Sequence, residues 1–236
     1  MPEPSTADID VIILCGGLGT RLGALAQGIP KPMVDVNDRP FLDILIGHVA
    51  SFGYKRFILC TGHMSEVVEA HYRNKTDGLA YVISKETEPL GTAGAFKHSE
   101  RWIKSGFVLG MNGDSFCGAN MKDFLDFHLG KKGQASIVLT SLEDSRDYGA
   151  ITLNADQEIV QFNEKHSAGQ GSGLVNAGIY LIDRKIIAQI PPGKKLSLEY
   201  DVFPTLVNKG FFGFATNHRL FEIGTPERLE IAKNNL

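Results

Sequence analysis

The sequence Asp10-Val-Ile-Ile-Leu14 runs directly into Cys15-Gly-Gly-Leu-Gly-Thr-Arg21, and Pro30-Lys-Pro32 follows shortly afterwards. The apolar run predicts a buried strand that enters a glycine-rich turn. Glycines let backbone N–H groups approach an anion closely, while Arg21 adds a planar guanidinium and Lys31 a point charge. This combination indicates a binding site for the phosphates of a nucleoside triphosphate.

Two common phosphate-binding motifs do not fit this loop. The dinucleotide-binding pattern G-x-G-x-x-G needs a third glycine where Leu22 stands, and the Walker A tripeptide G-K-[S/T] is absent from the chain. The glycines alone are as consistent with an ordinary turn between a strand and a helix. Arg21 and Lys31 in the same segment favour phosphate binding.

The composition narrows the class of protein. The chain has 236 residues, of which 43% are hydrophobic and 22% are charged, and its net charge of -3 does not favour nucleic-acid binding. No apolar run reaches membrane-spanning length, and residues 1–8 lack the basic and apolar regions of a signal peptide. Three widely spaced cysteines do not favour a disulfide framework or a zinc site. We expect a cytoplasmic protein with a disordered tail at 1–8, and no nucleic-acid or membrane partner.

The first half of the chain alternates strand-like and helix-like runs. We predict strands at 11–14, 56–60, 81–84, 107–112 and 135–140, and helices at 40–52, 65–72, 92–102 and 121–129. Such alternation predicts an α/β fold whose mixed, mostly parallel sheet is covered on both faces. Ligands of these sheets bind at the carboxyl ends of the strands, which places the site at the glycine loop.

The second half predicts a different arrangement, with a small β appendage. We predict a hairpin from 150–153 and 158–162, further strands at 179–182, 211–215 and 220–223, and helices at 199–208 and 226–234. A single domain is expected at 9–236. Its first half, about 9–140, would bind the nucleotide, and its second half, about 141–236, would receive the second substrate.

The segment Asn112-Gly-Asp114 ends the predicted strand at 107–112. A carboxylate at that strand end would face the same cleft as the glycine loop, where it could hold Mg²⁺ against phosphates. The alternative is an ordinary Asn-Gly-Asp turn.

These segments and three others occur in the order typical of one enzyme family. The others are Glu88-Pro-Leu-Gly-Thr-Ala-Gly94, Glu164-Lys165 and Asn176-Ala-Gly-Ile-Tyr180. From about Asp10 onward the chain resembles the sugar-1-phosphate nucleotidyltransferases. The resemblance implies a Rossmann-like, three-layer fold of the GT-A-like type and Mg²⁺-dependent chemistry. In that reaction an oxygen of a sugar 1-phosphate attacks the α-phosphate of a nucleoside triphosphate, and pyrophosphate leaves. Homo-oligomers are common in the family.

The resemblance also implies a role for each matching residue. Catalytic roles fall on Arg21, Lys31, Asp114 and Lys165, with Asp114 holding Mg²⁺ and Lys165 meeting the phosphate of the sugar phosphate. Nucleotide contacts are implied for Leu14, Gly16, Gly17, Gly19, Thr20, Glu86, Gly91 and Thr92. Sugar contacts are implied for Asn112, Tyr148, Gly149, Glu164 and Asn176. Glu222 stands where the family commonly has an aspartate as second metal-binding carboxylate, so we expect it to bind the metal directly or through water.

Glu86 is informative about the base. It lies five residues before Gly91, where family members that use UTP or dTTP commonly have glutamine. An ionised carboxylate only accepts hydrogen bonds, and guanine offers it N1–H and the 2-amino group, whereas uracil and thymine would oppose it with a carbonyl oxygen. We therefore predict GTP, with Lys85 or Glu88 as alternative readers of the base and UTP or dTTP as alternative nucleotides.

The ensemble of motifs, with Ser197-Leu-Glu-Tyr-Asp-Val-Phe-Pro204, most resembles the D-glycero-α-D-manno-heptose 1-phosphate guanylyltransferases. These enzymes make GDP-heptose for bacterial surface polysaccharides. Mannose-1-phosphate guanylyltransferases and uridylyltransferases of the glucose or muramate type are alternatives. A non-catalytic nucleotide-sugar-binding regulatory module is an alternative of another class, but such a module would be expected to lose its charged residues. A glycosyltransferase is disfavoured because the D-x-D triplet Asp8-Ile-Asp10 precedes the first strand.

Overall fold

The computed structural model describes residues 4–17, 22–23, 26, 28–142, 151–163 and 173–236. The strands are β1 (Asp10–Leu14), β2 (Asp35–Val36), β3 (Arg39–Pro40), β4 (Arg56–Thr61), β5 (Ala80–Lys85), β6 (Phe107–Asn112), β7 (Ser115–Cys117), β8 (Ala135–Leu142), β9 (Ile151–Leu153), β10 (Ile159–Phe162), β11 (Gly173–Asp183), β12 (Phe211–Thr216) and β13 (Leu220–Glu222). The α-helices are α1 (Phe41–Ser51), α2 (Ser65–Tyr72), α3 (Gly91–Ser99), α4 (Met121–Lys131), α5 (Arg184–Gln189), α6 (Phe203–Leu206) and α7 (Pro226–Lys233). Within these ranges no helix is both long and apolar enough to cross a membrane.

A nine-stranded mixed sheet organises the chain. Its order is β10-β9-β11-β6-β1-β4-β5, with β8 attached to β11 and β12 attached to β8. The strands β5, β4, β1 and β6 are parallel neighbours, whereas β11 runs antiparallel to β6. The chain leaves β1 toward β4 and β5 and later returns to its other side as β6, so the strand order reverses at β1. Ligands of α/β sheets bind at the carboxyl ends of the strands at such a reversal.

The sheet separates two hydrophobic cores. Val11 and Ile13 of β1 face a core that includes Phe41 of α1 and Phe124 of α4. Ile12, between them, points to the opposite face and into a second core built with α3, α5 and α6. This alternation follows from the two-residue period of a strand and requires helices on both faces. The result is a three-layer α/β architecture, which confirms the predicted fold class.

The amino ends of the central strands are joined by a buried carboxylate. Asp10 opens β1, and its side chain is 4% exposed. It forms an ion pair with Arg56 of β4 and accepts hydrogen bonds from the backbone N–H groups of Lys104 and Ser105 and from the Ser105 hydroxyl. Burial raises the pKa of Asp10, but the hydrogen bonds from Ser105 and Lys104 and the Arg56 guanidinium outweigh it, so the pKa lies below its usual value.

Several elements differ from the sequence-based predictions. The strand expected at 179–182 is the carboxyl-terminal part of the longer β11, and β7, α5 and the β2–β3 hairpin had not been predicted. The helix expected at 199–208 is a π-helical turn (Leu198–Val202) followed by the short α6. Pro204 has no backbone N–H to continue a regular helix, and Phe203 N–H donates to Leu198 instead. Part of the expected tail, Thr6–Asp8, forms a 3₁₀ turn.

The three cysteines are buried free thiols. Cys15 follows β1 and Cys60 lies in β4. Burial raises the pKa of Cys60 to about 12, so this thiol is held in its neutral form. The cysteines therefore contribute to packing.

Candidate active site

The candidate site lies where β1 and β6 end side by side. Leu14 pairs with Asn112, and the N–H of Gly113 donates to the carbonyl of Leu14 over 3.0 Å. A Cβ on Gly113 would lie 2.5 Å from that carbonyl oxygen, so the close approach requires glycine here. The turn that contains Asp114 is thereby fixed against the start of the glycine loop, as the strand ends predicted.

Lys31 and Asp114 meet at this edge of the sheet. A 3₁₀ turn (Lys31–Met33) flanked by Pro30 carries the lysine, and Pro32 within it is buried. Lys31 Nζ lies 2.5 Å from Asp114 Oδ2. The lysine side chain is 13% exposed and the aspartate side chain 43% exposed, so the pair lines an open surface rather than the core. The structure thus brings together two residues that the sequence predicts to act on the same phosphates.

A two-stranded sheet holds Asp114 and Glu222 near each other. Strand β13 runs antiparallel to β7, with Glu222 opposite Ser115, and the N–H of Ile223 donates to the Asp114 carbonyl over 3.0 Å. Glu222 Oε2 accepts a hydrogen bond from Arg228 Nη1 at 2.5 Å. In the described part of the chain, no group of three or more His, Cys, Asp or Glu residues could hold a metal by itself. A metal role for Glu222 stays a prediction.

The segment with the predicted nucleotide contacts Glu86, Gly91 and Thr92 begins at the carboxyl end of β5. The backbone N–H of Glu86 donates to Thr61 at the end of β4, and Glu86 Oε2 accepts from the N–H of Leu90 over 3.1 Å. Burial is the main cause that raises the pKa of Glu86. The Thr92 hydroxyl points away from open solvent toward a buried carboxylate, that of Glu199, at 2.8 Å.

Gly91 begins α3 with a φ of +71°, and a Cβ added there would lie 2.5 Å from the carbonyl oxygen of Leu196. We expect Gly91→Ala to destabilise the protein by about 1–3 kcal/mol, since both the backbone angle and the backbone contact oppose a side chain. Thermal unfolding checks this expectation. The matched control is Gly47→Ala on α1, where nothing lies within 4 Å of an added Cβ. An unchanged unfolding temperature for Gly91→Ala would contradict it.

A bulge in β11 brings the predicted sugar-binding strand to the same turn. The pairing of β11 with β8 shifts register between Asn176 and Tyr180, and Gly178 has a φ of +74°. A Cβ on Gly178 would lie 2.9 Å from Asn112 Nδ2. Asn112 Oδ1 is buried and has no hydrogen-bond partner among the described residues. Bulges are common next to active sites, and here the bulge sets Gly178 against Asn112 at the end of β6.

The remaining predicted residues fall into two groups. Gly16 and Gly17 are exposed at the end of β1, and Gly17 has a φ of +137°, which favours glycine. The other group lies outside the described residues, and its predicted roles stay predictions: Gly19, Thr20, Arg21, Tyr148, Gly149, Glu164 and Lys165.

Sequence reasoning did not assign roles at this site to Arg228, Glu199 and Tyr180. Arg228 pairs with Glu222, and the buried Glu199 contacts both Thr92 and Tyr180. The proximity of Glu222 and Arg228 across Pro226 could have suggested an ion pair. Glu199 and Thr92 are far apart in sequence, so no local pattern indicated their contact.

Comparisons with known proteins found matches over most of the chain. The family model described as nucleotidyl transferase matches residues 10–235. The chain is 32% identical to a mannose-1-phosphate guanylyltransferase of Mycobacterium tuberculosis over 94% of its own length, but it spans only 63% of that protein. It is 29% identical to a D-glycero-alpha-D-manno-heptose 1-phosphate guanylyltransferase of Aneurinibacillus thermoaerophilus, covering 97% of this chain and 98% of that protein.

A solved structure is similar over nearly the whole chain. HddC from Yersinia pseudotuberculosis, crystallised with GMP-PN, superposes with a TM-score of 0.83 and is 32% identical. The match covers 96% of this chain and 98% of HddC. The chain belongs to the nucleotidyl transferase family.

Proposed function

We propose that this protein transfers the guanylyl group of GTP to D-glycero-α-D-manno-heptose 1-phosphate, giving GDP-heptose and pyrophosphate for surface polysaccharide synthesis. The observation that carries the proposal is the nearly end-to-end likeness to the heptose 1-phosphate guanylyltransferase relative and to HddC, which was crystallised with GMP-PN. Residues 9–236 would act as one domain, with the nucleotide bound mainly by the first half and the sugar phosphate by the second. The buried free thiols support a reducing, cytoplasmic location.

The position of Glu86 supports guanine as the base. Leu90 N–H donates to Glu86 Oε2, which orients the carboxylate at the end of β5. The side chain is only partly buried, so the carboxylate can still accept hydrogen bonds from a ligand. Guanine presents two adjacent donors to such a group, and a pyrimidine carbonyl would be repelled by it.

The chemistry requires charge neutralisation rather than a general base. A phosphate oxygen of the sugar 1-phosphate is already anionic near neutral pH. It forms a bond to the α-phosphorus of GTP while the bond to the bridging oxygen of the β-phosphate breaks, and the electron pair leaves with pyrophosphate. Lys31, held by its two flanking prolines at the end of β1, would donate to the phosphate oxygens whose charge grows. Arg21 and Lys165 would bind the triphosphate and the sugar phosphate, respectively.

The residues at the strand ends fit a magnesium ion. Mg²⁺ prefers oxygen ligands and commonly uses one or two carboxylates together with substrate phosphates. Asp114 offers a carboxylate with 43% of its side chain exposed, and Glu222 follows on the neighbouring strand. When bound, the ion would neutralise charge on the nucleotide phosphates. Asp114 would hold it, and Glu222 would act directly or through water after loosening its contact with Arg228.

Replacing Glu86 tests the base assignment. We expect Glu86→Gln to lower kcat/KM for GTP by about 10- to 100-fold, the usual effect of losing hydrogen bonds to a charged acceptor. The variant should discriminate less against UTP, because the glutamine amide can both donate and accept. Glu88→Gln changes an exposed neighbour in the same way. If this variant alters the nucleotide profile instead, Glu88 is the residue that recognises the base. An unchanged nucleotide profile in Glu86→Gln would exclude Glu86.

Mannose 1-phosphate is the second candidate substrate, favoured by the 32% identity to the Mycobacterium tuberculosis enzyme. Pyrophosphate release with Mg²⁺ tests both, with GTP, UTP, dTTP, CTP and ATP each combined with heptose-, mannose-, glucose- and muramate-type 1-phosphates. Release only from GTP and the manno-heptose phosphate is the expected result. Release from GTP and mannose 1-phosphate, but not from the heptose phosphate, would identify mannose 1-phosphate as the substrate. No release from any pair would favour a non-catalytic nucleotide-sugar-binding module.

A further inference from the structure

Glu199 is a buried carboxylate between the two halves of the site. It lies in the π-helical turn and is 9% exposed. Its Oε2 accepts hydrogen bonds from the hydroxyls of Thr92 at 2.8 Å and Ser197 at 2.7 Å, and its Oε1 accepts from Tyr180 Oη at 3.2 Å. In the described part of the chain its partners are thus hydroxyl groups, whereas buried carboxylates are usually paired with cations.

The direction of the first hydrogen bonds follows from the backbone. Leu198 N–H donates to Thr92 Oγ1 over 2.7 Å, and the N–H groups of Glu199 and Tyr200 donate to Ser197 Oγ over 3.1 and 3.2 Å. A backbone N–H can only donate, so both hydroxyl oxygens act as acceptors in these contacts. The hydroxyl protons are directed to Glu199 Oε2, which accepts both hydrogen bonds.

The same reasoning extends to the strand that carries the predicted sugar contact. Gly178 N–H donates to one end of the Asn176 amide over 2.7 Å, which identifies that end as the oxygen. The other end, Nδ2, then donates to Tyr180 Oη over 3.0 Å. Tyr180 in turn directs its own proton to Glu199 Oε1. A chain of hydrogen bonds thus begins at the Asn176 amide, passes through the Tyr180 hydroxyl and ends at Glu199, which is its final acceptor.

This chain of hydrogen bonds joins the two substrate sides of the site. Thr92 lies in the first turn of α3, directly after Gly91, and Asn176 lies in the β11 bulge two residues before Gly178, which packs against Asn112. We propose that Glu199 is a positioning residue that, through Tyr180, holds the Asn176 amide in place for the sugar phosphate and ties it to Thr92 at the start of α3. The proposal rests on the proposed function, in which Asn176 contacts the sugar.

The substitution Glu199→Gln separates a positioning role from a packing role, because the new side chain has the same shape but a different hydrogen-bonding group. Its amide oxygen can accept from Thr92 and Ser197, while its NH₂ group then faces Tyr180. The hydrogen bond from the Tyr180 hydroxyl to residue 199 is lost, although the shape and volume of the side chain are conserved. Glu199→Gln should therefore disturb the sugar side and leave the nucleotide side nearly intact. Tyr180→Phe removes the same link from the other end.

Steady-state kinetics with both substrates varied tests the proposal on the full chain. We expect Glu199→Gln and Tyr180→Phe each to raise KM for the sugar 1-phosphate by about tenfold, with KM for GTP changed less than about twofold, as one lost hydrogen bond to a charged group predicts. The double variant should show little further effect, because both changes break one link. Glu230→Gln, an exposed change of the same kind on α7, is the control. Thermal unfolding is measured for all variants.

Three results would overturn the proposal. The first is an unchanged KM for the sugar 1-phosphate in both single variants. The second is a rise of both KM values in parallel with a lowered unfolding temperature, which indicates a structural role only. The third is a wild-type protein that is inactive with every substrate pair, which would also refute the proposed function. If Glu199→Gln does not fold, Tyr180→Phe alone decides between these outcomes.

Discussion

Replacement of Lys31 by alanine is expected to lower kcat by about 10²–10³-fold, the usual effect of removing a preorganised donor from a developing negative charge. Lys31 Nζ already lies 2.5 Å from Asp114 at the carboxyl edge of β1 and β6, and its flanking prolines restrict the backbone. Little reorganisation is therefore needed for it to meet phosphate oxygens. Pyrophosphate release with saturating substrates measures the effect.

The fold should survive the change. Asp114 loses its partner but remains 43% exposed, so water can solvate the carboxylate. Lys122→Ala is the matched control, because this lysine is exposed on α4 and pairs only with Asp126 among the described residues. Turnover near the wild-type rate in Lys31→Ala would remove the lysine from the reaction, whereas equal losses in both variants would indicate a non-specific effect of charge.

Replacement of Asp10 by alanine is expected to have the largest effect on stability, lowering the free energy of unfolding by about 3–5 kcal/mol. The change leaves the Arg56 guanidinium and the N–H groups of Lys104 and Ser105 without their acceptor in a buried place. Chemical denaturation at neutral pH measures the difference. Asp126→Ala, which removes an exposed ion pair, should cost less than about 1 kcal/mol and is the control.

The stability contributed by Asp10 also depends on pH. Its pKa in the folded protein lies below the usual value of 3.8, so the folded state favours the ionised carboxylate. The contribution is complete above the pKa of the unfolded chain and is lost as the pH falls through the folded pKa. The wild type should lose stability more steeply than Asp10→Ala on acidification below about pH 4. Parallel pH profiles for the two proteins would contradict this assignment.

The parallel half of the fold was accessible to sequence reasoning because its signals are local. Continuous apolar runs predicted β1 and β4, and the strand predicted at 107–112 coincides with β6. Amphipathic spacing similarly predicted α2 over its observed length. The candidate site was predicted from the strand ends and from the segment that follows β1, and the contact of Lys31 with Asp114 agrees with that placement.

The features that were missed depend on contacts between distant residues. Strand β7 has only three residues after an Asn-Gly-Asp turn and is a strand because β13 pairs with it. Asn176-Ala-Gly178 resembles a turn, yet it is a bulge inside β11 because β6, β8 and β9 all pair with this strand. The contacts of Glu199 with Thr92 and Tyr180 likewise join residues from different elements of the fold. Neither propensity nor periodicity contains that information.

The pairing of β7 with β13 also determines when the site can form during folding. Asp114 immediately precedes β7, but its partner strand lies about a hundred residues later, and the entropic cost of closing a loop rises with its length. Strands β1, β4, β5 and β6, whose carboxyl ends form the predicted nucleotide-binding edge, all belong to the first half of the chain. Chains that are folded during synthesis assemble their earlier segments first. A growing chain can therefore pair β1, β4, β5 and β6 and form the Gly113 contact with Leu14 first, whereas the contact of Ile223 with Asp114 needs the last part of the chain.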